Sequence, residues 1–241
     1  MKIKDFVLAL ISPNLRFRIV NFKNSIYGGY KKFYFSQNGE DVVVATLFDD
    51  LKIKNGFYVD VGAHHPQRYS NTNLLFLKGW SGINIDPNPE TIRLFNSARK
   101  RDINLNVGVA ENKSEITYYN FSDPAVNTFS AQAAKKYEDK KWISLISKTL
   151  VSVTPLREIL AQHLPTNKTV DLLNIDVEGF DMEVLRSNDW ENIKPCVIII
   201  EDHLFDIKKS EKSEIYSFLL QRGYRLHVYL GFSLIFVRGG I

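Results

Sequence analysis

The apolar residues of this chain gather into short continuous runs, and the segments between the runs have helical spacing. Phe57–Val61, Gly82–Ile85, about Ile103–Val109, Val170–Ile175 and Cys196–Ile200 each read as a strand covered on both faces. Between them, Thr72–Lys78, Glu90–Arg99, Pro155–Gln162, Gly179–Arg186 and Ser210–Arg222 read as helices. An earlier helix is expected from an N-cap at Ser36 to about Leu51, with Val42, Val43, Leu47 and Phe48 as its apolar stripe. Ile116–Phe121 and Thr149–Thr154 are β-like. The polar segment between them, Ser122–Lys141, is too long for a plain connection and predicts a substrate loop or lid with some helix. Tyr224–Tyr229 and Ser233–Arg238, split at a glycine, read as a terminal antiparallel hairpin. Alternating strands and helices predict an α/β protein with a mainly parallel sheet and an antiparallel edge.

Residues 1–35 stand apart from this pattern. A helix is expected over Lys4–Ile11, ended by Ser12-Pro13, and a turn at Gly28-Gly29. The aromatics Tyr27, Tyr30, Phe33, Tyr34 and Phe35 are expected to pack this arm onto the body. Two regions result: a basic, aromatic extension over 1–35 and one domain over 36–241. Net charge is +4, yet residues 1–32 hold seven Lys/Arg and one acid, so they carry +6 and the remainder −2. A body without basic excess argues against nucleic-acid binding. The arm is a candidate for contact with anionic lipid, a phosphorylated or lipid-linked glycan, or a protein partner; a solvated basic helix is the plain alternative.

One cysteine, Cys196, excludes an intrachain disulfide and a cysteine-rich metal site, and it reads as a core thiol. The early apolar run Phe6–Ile11 is far below the roughly 18 residues of a membrane span. The expectation is a cytoplasmic protein, peripheral to a membrane if the arm binds one. A homo-oligomer is compatible with the chain.

The chemistry concentrates at strand ends. Phe57–Val61 leads into Gly62-Ala63-His64-His65-Pro66, and Gly82–Ile85 ends at Asp86. Ligands of open α/β sheets bind outside the C-terminal ends of the strands. A carboxylate at Asp86 suits the two hydroxyls of a ribose. A dinucleotide site wants G-x-G-x-x-G after the first strand. Here only Gly62 is present, and the bulky residues after it would keep a pyrophosphate off the backbone. The cofactor expected is therefore S-adenosylmethionine (SAM), with Asp60 toward its amino group, Gly62 beside its methionine part and Asp86 on its ribose. Ser70, Asn71 and Thr72 open the next helix and suit the SAM carboxylate, or cap the helix.

Several of these pieces occur together in one family. Ser36-Gln37-Asn38-Gly39-Glu40-Asp41, Tyr58 to Pro66, Tyr69-Ser70-Asn71-Thr72, Gly79 to Pro87 and Ile175-Asp176-Val177-Glu178-Gly179-Phe180-Asp181 stand in the same order. On these motifs the chain resembles the FkbM family of SAM-dependent methyltransferases. The resemblance implies a class I (Rossmann-like) methyltransferase: a seven-stranded, mostly parallel sheet with an antiparallel C-terminal hairpin strand. It implies O-methylation of a hydroxyl, often on a sugar, and here a nucleotide sugar or an intermediate of bacterial surface-glycan synthesis. It also implies that the segment holding Gln37 and Glu40 lies over the cofactor; helix capping is the alternative for Glu40.

Late acids complete the expected site. Asp176 ends one buried strand, and Glu201 and Asp202 end the next. Three carboxylates at one cleft need a cation or protons to compensate. Mg²⁺ or another divalent ion, held by Asp176, Glu201 and Asp202, would do so and would bind a sugar diol. The alternative is a set of hydrogen-bonded structural acids without metal. His203 is the expected general base, with Asp176 as its alternative. His64 and His65 fall nearer the methionine end, and His163 and His227 read as structural. Two other classes stay open: an NAD-dependent oxidoreductase, disfavoured by the missing glycines, and a catalytically inactive methyltransferase fold serving as a binding protein.

Overall fold

The structure, a computed structural model, describes residues 12–26 and 32–240. The expected helix over Lys4–Ile11, the turn at Gly28-Gly29, Tyr27 and Tyr30 lie outside the described residues. The chain divides into two compact units, Met1–Tyr34 and Phe35–Ile241.

In the first unit, helix α1 runs over Pro13–Ile26. Ser12-Pro13 starts this helix, which the sequence reading did not mark. Proline at the first helical position loses no hydrogen bond and has the right φ, and the Ser12 hydroxyl accepts from the Leu15 amide at 3.4 Å. Phe33 and Tyr34 are exposed.

The second unit begins with helix α2, Glu40–Asp50. Ser36 is not its N-cap; Gly39, with φ of 95°, holds that position. The Ser36 hydroxyl instead donates to Asp41 at 2.7 Å and accepts from the Gly39 amide at 3.1 Å. Strand β1 is Phe57–Val61, helix α3 Asn73–Leu77, β2 Ser81–Ile85, α4 Pro89–Ala98 and β3 Ile103–Leu105. After an interval come β4 (Gly108–Val109), β5 (Ser114–Phe121), helix α5 (Ala131–Glu138) and β6 (Leu145–Thr154). The rest is α6 (Leu156–His163), β7 (Leu172–Ile175), α7 (Asp181–Ser187), β8 (Val197–Glu201), α8 (Glu214–Gln221), β9 (Tyr224–Leu230) and β10 (Ser233–Arg238).

Seven strands form one sheet in the order β3-β2-β1-β7-β8-β10-β9, and only β10 runs antiparallel to its neighbours. This is the Rossmann-like sheet with a reversed hairpin strand that the sequence implied. One apolar face packs Val44 and Phe48 of α2 and Leu75 of α3. The other packs Leu156 and Leu160 of α6, Val184 and Leu185 of α7, and Leu219 of α8. Both faces are covered, which is why the strands read as continuous apolar runs.

Two departures from the expected strands matter. The stretch expected as one strand over Ile103–Val109 is broken, since β3 pairs with β2 while β4 joins a second sheet, β4-β6-β5. That sheet has its own small core of Tyr118, Phe129 and Val153. The segment Ser122–Lys141 lies across its edge as a 3₁₀ turn, Pro124–Val126, followed by α5.

A row of polar side chains crosses the apolar sheet. Asn104, Asn84, Asp60 and Asn174 are register partners on β3, β2, β1 and β7. Asn174 donates to Asp60 at 2.8 Å, and Asn84 donates to Asn104 at 2.8 Å. Arg99, at the C-terminal end of α4, is 1% exposed and lies beside this row. Its guanidinium donates to the Thr72 hydroxyl at 2.7 Å, the Ser70 hydroxyl at 2.8 Å and the Pro66 carbonyl. Thr72 in turn donates to Asp60 at 2.6 Å, and Tyr58 links Arg99 to Asp102.

Arg99→Met should destabilise the fold by about 3–5 kcal/mol at pH 7, because the buried acids Asp60 and Asp102 lose their cation. Burial already raises both acids above the ordinary carboxylate range. A raised carboxyl favours folding in its protonated form, so the deficit should shrink as pH falls toward the normal carboxylate range. Urea unfolding at pH 7 and 5 measures both; an unchanged midpoint at pH 7 would show the cation to be dispensable.

Candidate active site

The strand order reverses between β1 and β7, and the C-terminal ends of β1, β2, β7 and β8 meet there. Gly62 follows β1 with φ of 80°, and a Cβ on it would stand 1.8 Å from the Asp176 carbonyl oxygen. Glycine is thus demanded by the close approach of the two strand ends, a protein reason for a residue that the sequence suggested was reserved for cofactor.

Asp86 is 5% exposed and closes β2. One carboxylate oxygen accepts from the His64 amide at 3.0 Å and the other from the Asn88 amide at 2.8 Å. Each oxygen keeps a second acceptor position. Burial raises the acid to about 6 despite these bonds. His64 itself has a positive φ of 51°, and both its ring nitrogens are buried without a hydrogen-bond partner. Burial lowers it to about 4, so the ring is neutral at pH 7. A buried imidazole with neither nitrogen satisfied is uncommon in a folded protein. Gly62, His64, Asp86 and Asp176 share a cavity of about 40 Å³, which Pro124, Ala125 and Asn127 close on one side. Asp123 holds that closing segment to the loop after β1 through Arg68, at 3.2 Å.

The remaining residues expected at the cofactor lie differently. Asp60 is buried and accepts from Thr72 and Asn174. The Ser70 and Thr72 hydroxyls are engaged with Arg99, and Asn71 donates to Asn174 at 2.9 Å. None of these four lines the cavity. Glu40 is 1% exposed and binds the Asn38 amide at 2.8 Å and the Ser233 hydroxyl at 3.2 Å. It pins the loop before α2 to β10. Gln37 is exposed and lines neither cavity at the strand ends.

A second cavity, about 610 Å³, opens beyond β7 and β8. Its floor is Glu178, Asp181, Glu201 and His203; α5 supplies Lys136 and Tyr137, and the turn after it supplies Lys140. Glu178 lines both cavities. His203 Nε2 lies 3.1 Å from Glu201 and 3.6 Å from Glu178. The Tyr137 hydroxyl donates to Glu178. Two carboxylates beside His203 raise it to about 10, Glu178 contributing most. The imidazole expected as a base is therefore an imidazolium at neutral pH. Burial, with Glu201 and Glu178 adding to it, pushes Asp176 well above the ordinary range. Among the described residues no protein group donates a hydrogen bond to its carboxyl. Burial pushes Asp181 to about 7, although it accepts from the Val177 and Gly179 amides.

The expected set of Asp176, Glu201 and Asp202 does not converge. One ligand atom each of Glu178, Glu201 and His203 falls within 4.8 Å of the others. Asp202 lines the same cavity, but its two carboxylate oxygens are engaged, accepting from the Leu204 amide at 3.0 Å and the Ser213 hydroxyl at 2.6 Å.

The methyltransferase FkbM domain, as a family model, matches residues 60–226. The chain belongs to this family. Among solved structures, an FkbM methyltransferase from Methylobacillus flagellatus KT is 14% identical, with a TM-score of 0.43 over 76% of this chain and 43% of that one. This FkbM chain thus spans under half the length of that relative. A precorrin-6y C5,15-methyltransferase from Geobacter metallireducens GS-15 is 13% identical, with a TM-score of 0.40 over 80% and 85% of the two chains. No curated protein matches. Within the FkbM domain, sequence reasoning missed Arg99, Tyr137 and the asparagines of the polar row. The row had a signal: Asp60-x-Gly62, Asn84-x-Asp86 and Asn174-x-Asp176 repeat one spacing at three strand ends.

The ion-paired state of His203 is directly observable. Its ring should stay protonated at pH 8 in an NMR titration, and Glu178→Gln with Glu201→Gln should return it toward the ordinary value near 6.5. The contribution of this pair to stability is present below about 6.5 and disappears as pH rises through about 10. A ring that titrates near 6.5 in the unaltered protein would break the assignment.

Proposed function

We propose that this FkbM domain transfers a methyl group from SAM to a hydroxyl of a sugar, carried on a nucleotide or part of a surface-glycan intermediate. The observation behind this reading is Glu178, which stands between the Asp86 cavity and the larger acidic one. Donor and acceptor would meet across it.

The donors on the first side fit SAM. Asp86 has acceptor positions left for the ribose hydroxyls. His64 offers one donor and one acceptor nitrogen, both unpartnered. The volume is too small as it stands, so binding must displace Pro124–Asn127. When bound, SAM supplies a methyl group on a positively charged sulfur, which leaves as a neutral thioether.

The second cavity has a size ordinary for small-molecule sites. Carboxylates, Tyr137, Ser130 and Gln132 on its wall suit a polyhydroxylated ligand, and Lys136 with Lys140 suits an attached phosphate. As the new C–O bond forms, the acceptor hydroxyl must lose its proton. His203, already cationic, cannot take it. Glu178 takes that proton, with His203 and Tyr137 holding its carboxylate in place. Asp176, whose protonated form burial and its acidic neighbours favour, can donate a hydrogen bond into the cleft. The imidazolium already provides the positive charge expected from Mg²⁺, so no ion is assigned to this cluster.

Calorimetric titration of SAM into the EDTA-treated full chain tests the donor side. Affinity should rise with pH through about 6 as Asp86 ionises, and Asp86→Ala should lower it about tenfold or more through lost charged hydrogen bonds. An affinity indifferent to both would remove Asp86 from the site. For the acceptor side, nucleotide sugars are added with and without Mg²⁺. Glu178→Gln should cut turnover about 10²- to 10⁴-fold while SAM affinity holds, and His203→Asn should cut it less. Full turnover in Glu178→Gln would place the base elsewhere, and turnover that needs Mg²⁺ would restore the ion.

A further inference from the structure

Helix α1 has a surface that the soluble body does not explain. Leu15, Ile19 and Phe22 are exposed by 50%, 42% and 68%. At about 100° per residue these three fall within an arc of about 60° on one side of the helix. Arg18 flanks that stripe on one side, and Arg16 and Lys23 flank it on the other. Phe17 and Val20, also exposed, lie beyond the flanking cations. The helix contains no acidic residue. Five large apolar side chains in eight residues are too many for a helix that only meets water. Its 14 residues are too few to cross a bilayer, and among the described residues no helix is long and apolar enough to do so.

We infer that α1 is an interfacial helix that seats this protein on an anionic phospholipid surface. The apolar stripe enters the boundary between headgroups and acyl chains. Arg16, Arg18 and Lys23 bend outward to the phosphates, with their aliphatic stems against the lipid. Charge selects this occupant. Residues 1–32 carry +6 and the rest of the chain −2, so attraction to an anionic surface is confined to the arm. The inference stands on the N-terminal helix alone and is independent of the methyl-transfer reading.

The test is co-sedimentation of the full chain with phosphatidylcholine vesicles, with and without phosphatidylglycerol. Binding should need phosphatidylglycerol and weaken with added salt. Arg16→Glu with Arg18→Glu should lower the partition about tenfold or more, from about 1 kcal/mol per basic residue near the surface. Phe22→Ser should lower it without changing the salt dependence. These positions are exposed, so circular dichroism should be unchanged. Equal binding to neutral vesicles, or no binding, would overturn the inference. So would a dimer in light scattering that Phe22→Ser dissociates without any vesicle binding, because the face would then belong to a second copy.

Discussion

The loop after β1 hangs on one buried cation. Arg99 is 1% exposed, and its guanidinium holds the loop after β1 from inside, at Pro66, Ser70 and Thr72. Through Thr72 it reaches Asp60, and through Tyr58 it reaches Asp102. Those acids could not stay in an apolar sheet without a cation or protons. The loop they fix carries Gly62 and His64, and the His64 amide positions Asp86. Arg99, at the C-terminal end of α4, thus supports a loop that lines a cavity formed mostly by other elements.

Electrostatics at the β7 and β8 ends follow a related rule. Asp176, Glu178, Asp181 and Glu201 crowd a partly buried cleft, and the protein handles them in three ways. Asp176 is pushed toward its neutral form by burial and its neighbours. Asp181 takes two backbone amides and still titrates near neutrality. Glu178 and Glu201 are balanced by His203. Titratable groups pushed in such different directions at one cleft mark it as a candidate functional site. The imidazole thus lies between two carboxylates that favour its charged form, an environment unlike that of the free base its place in the chain suggested.

The scaffold was legible because its physics is local and repetitive. Continuous apolar runs such as Phe57–Val61 and Val197–Glu201 arise wherever both faces of a parallel sheet are covered. The hairpin Tyr224–Leu230 and Ser233–Arg238 announces itself by two β runs and a glycine. Legibility failed where two local signals compete. The helix that starts at Pro13 went unmarked, because its apolar residues show no single buried face. The run from Ile103 to Val109 looks like one strand, yet β3 and β4 find partners in different sheets. Ser36 has the chemistry of an N-cap, but Gly39 alone takes the left-handed backbone there without strain.

The sequence by itself determined the α/β architecture, the reversed last strand, the family and the strand ends where Gly62, Asp86 and Asp176 gather. Spacing and apolar period carry that information, and both are properties of neighbours along the chain. Tertiary structure decided which groups meet. It turned Asp202 toward Ser213, brought Glu178 beside His203 and enclosed Ser70 and Thr72 behind Arg99. It also required Gly62 for contact with the Asp176 carbonyl. Protonation followed from the same encounters: a carboxyl or imidazole takes its charge state from burial and facing charges, and these are fixed only when distant segments pack.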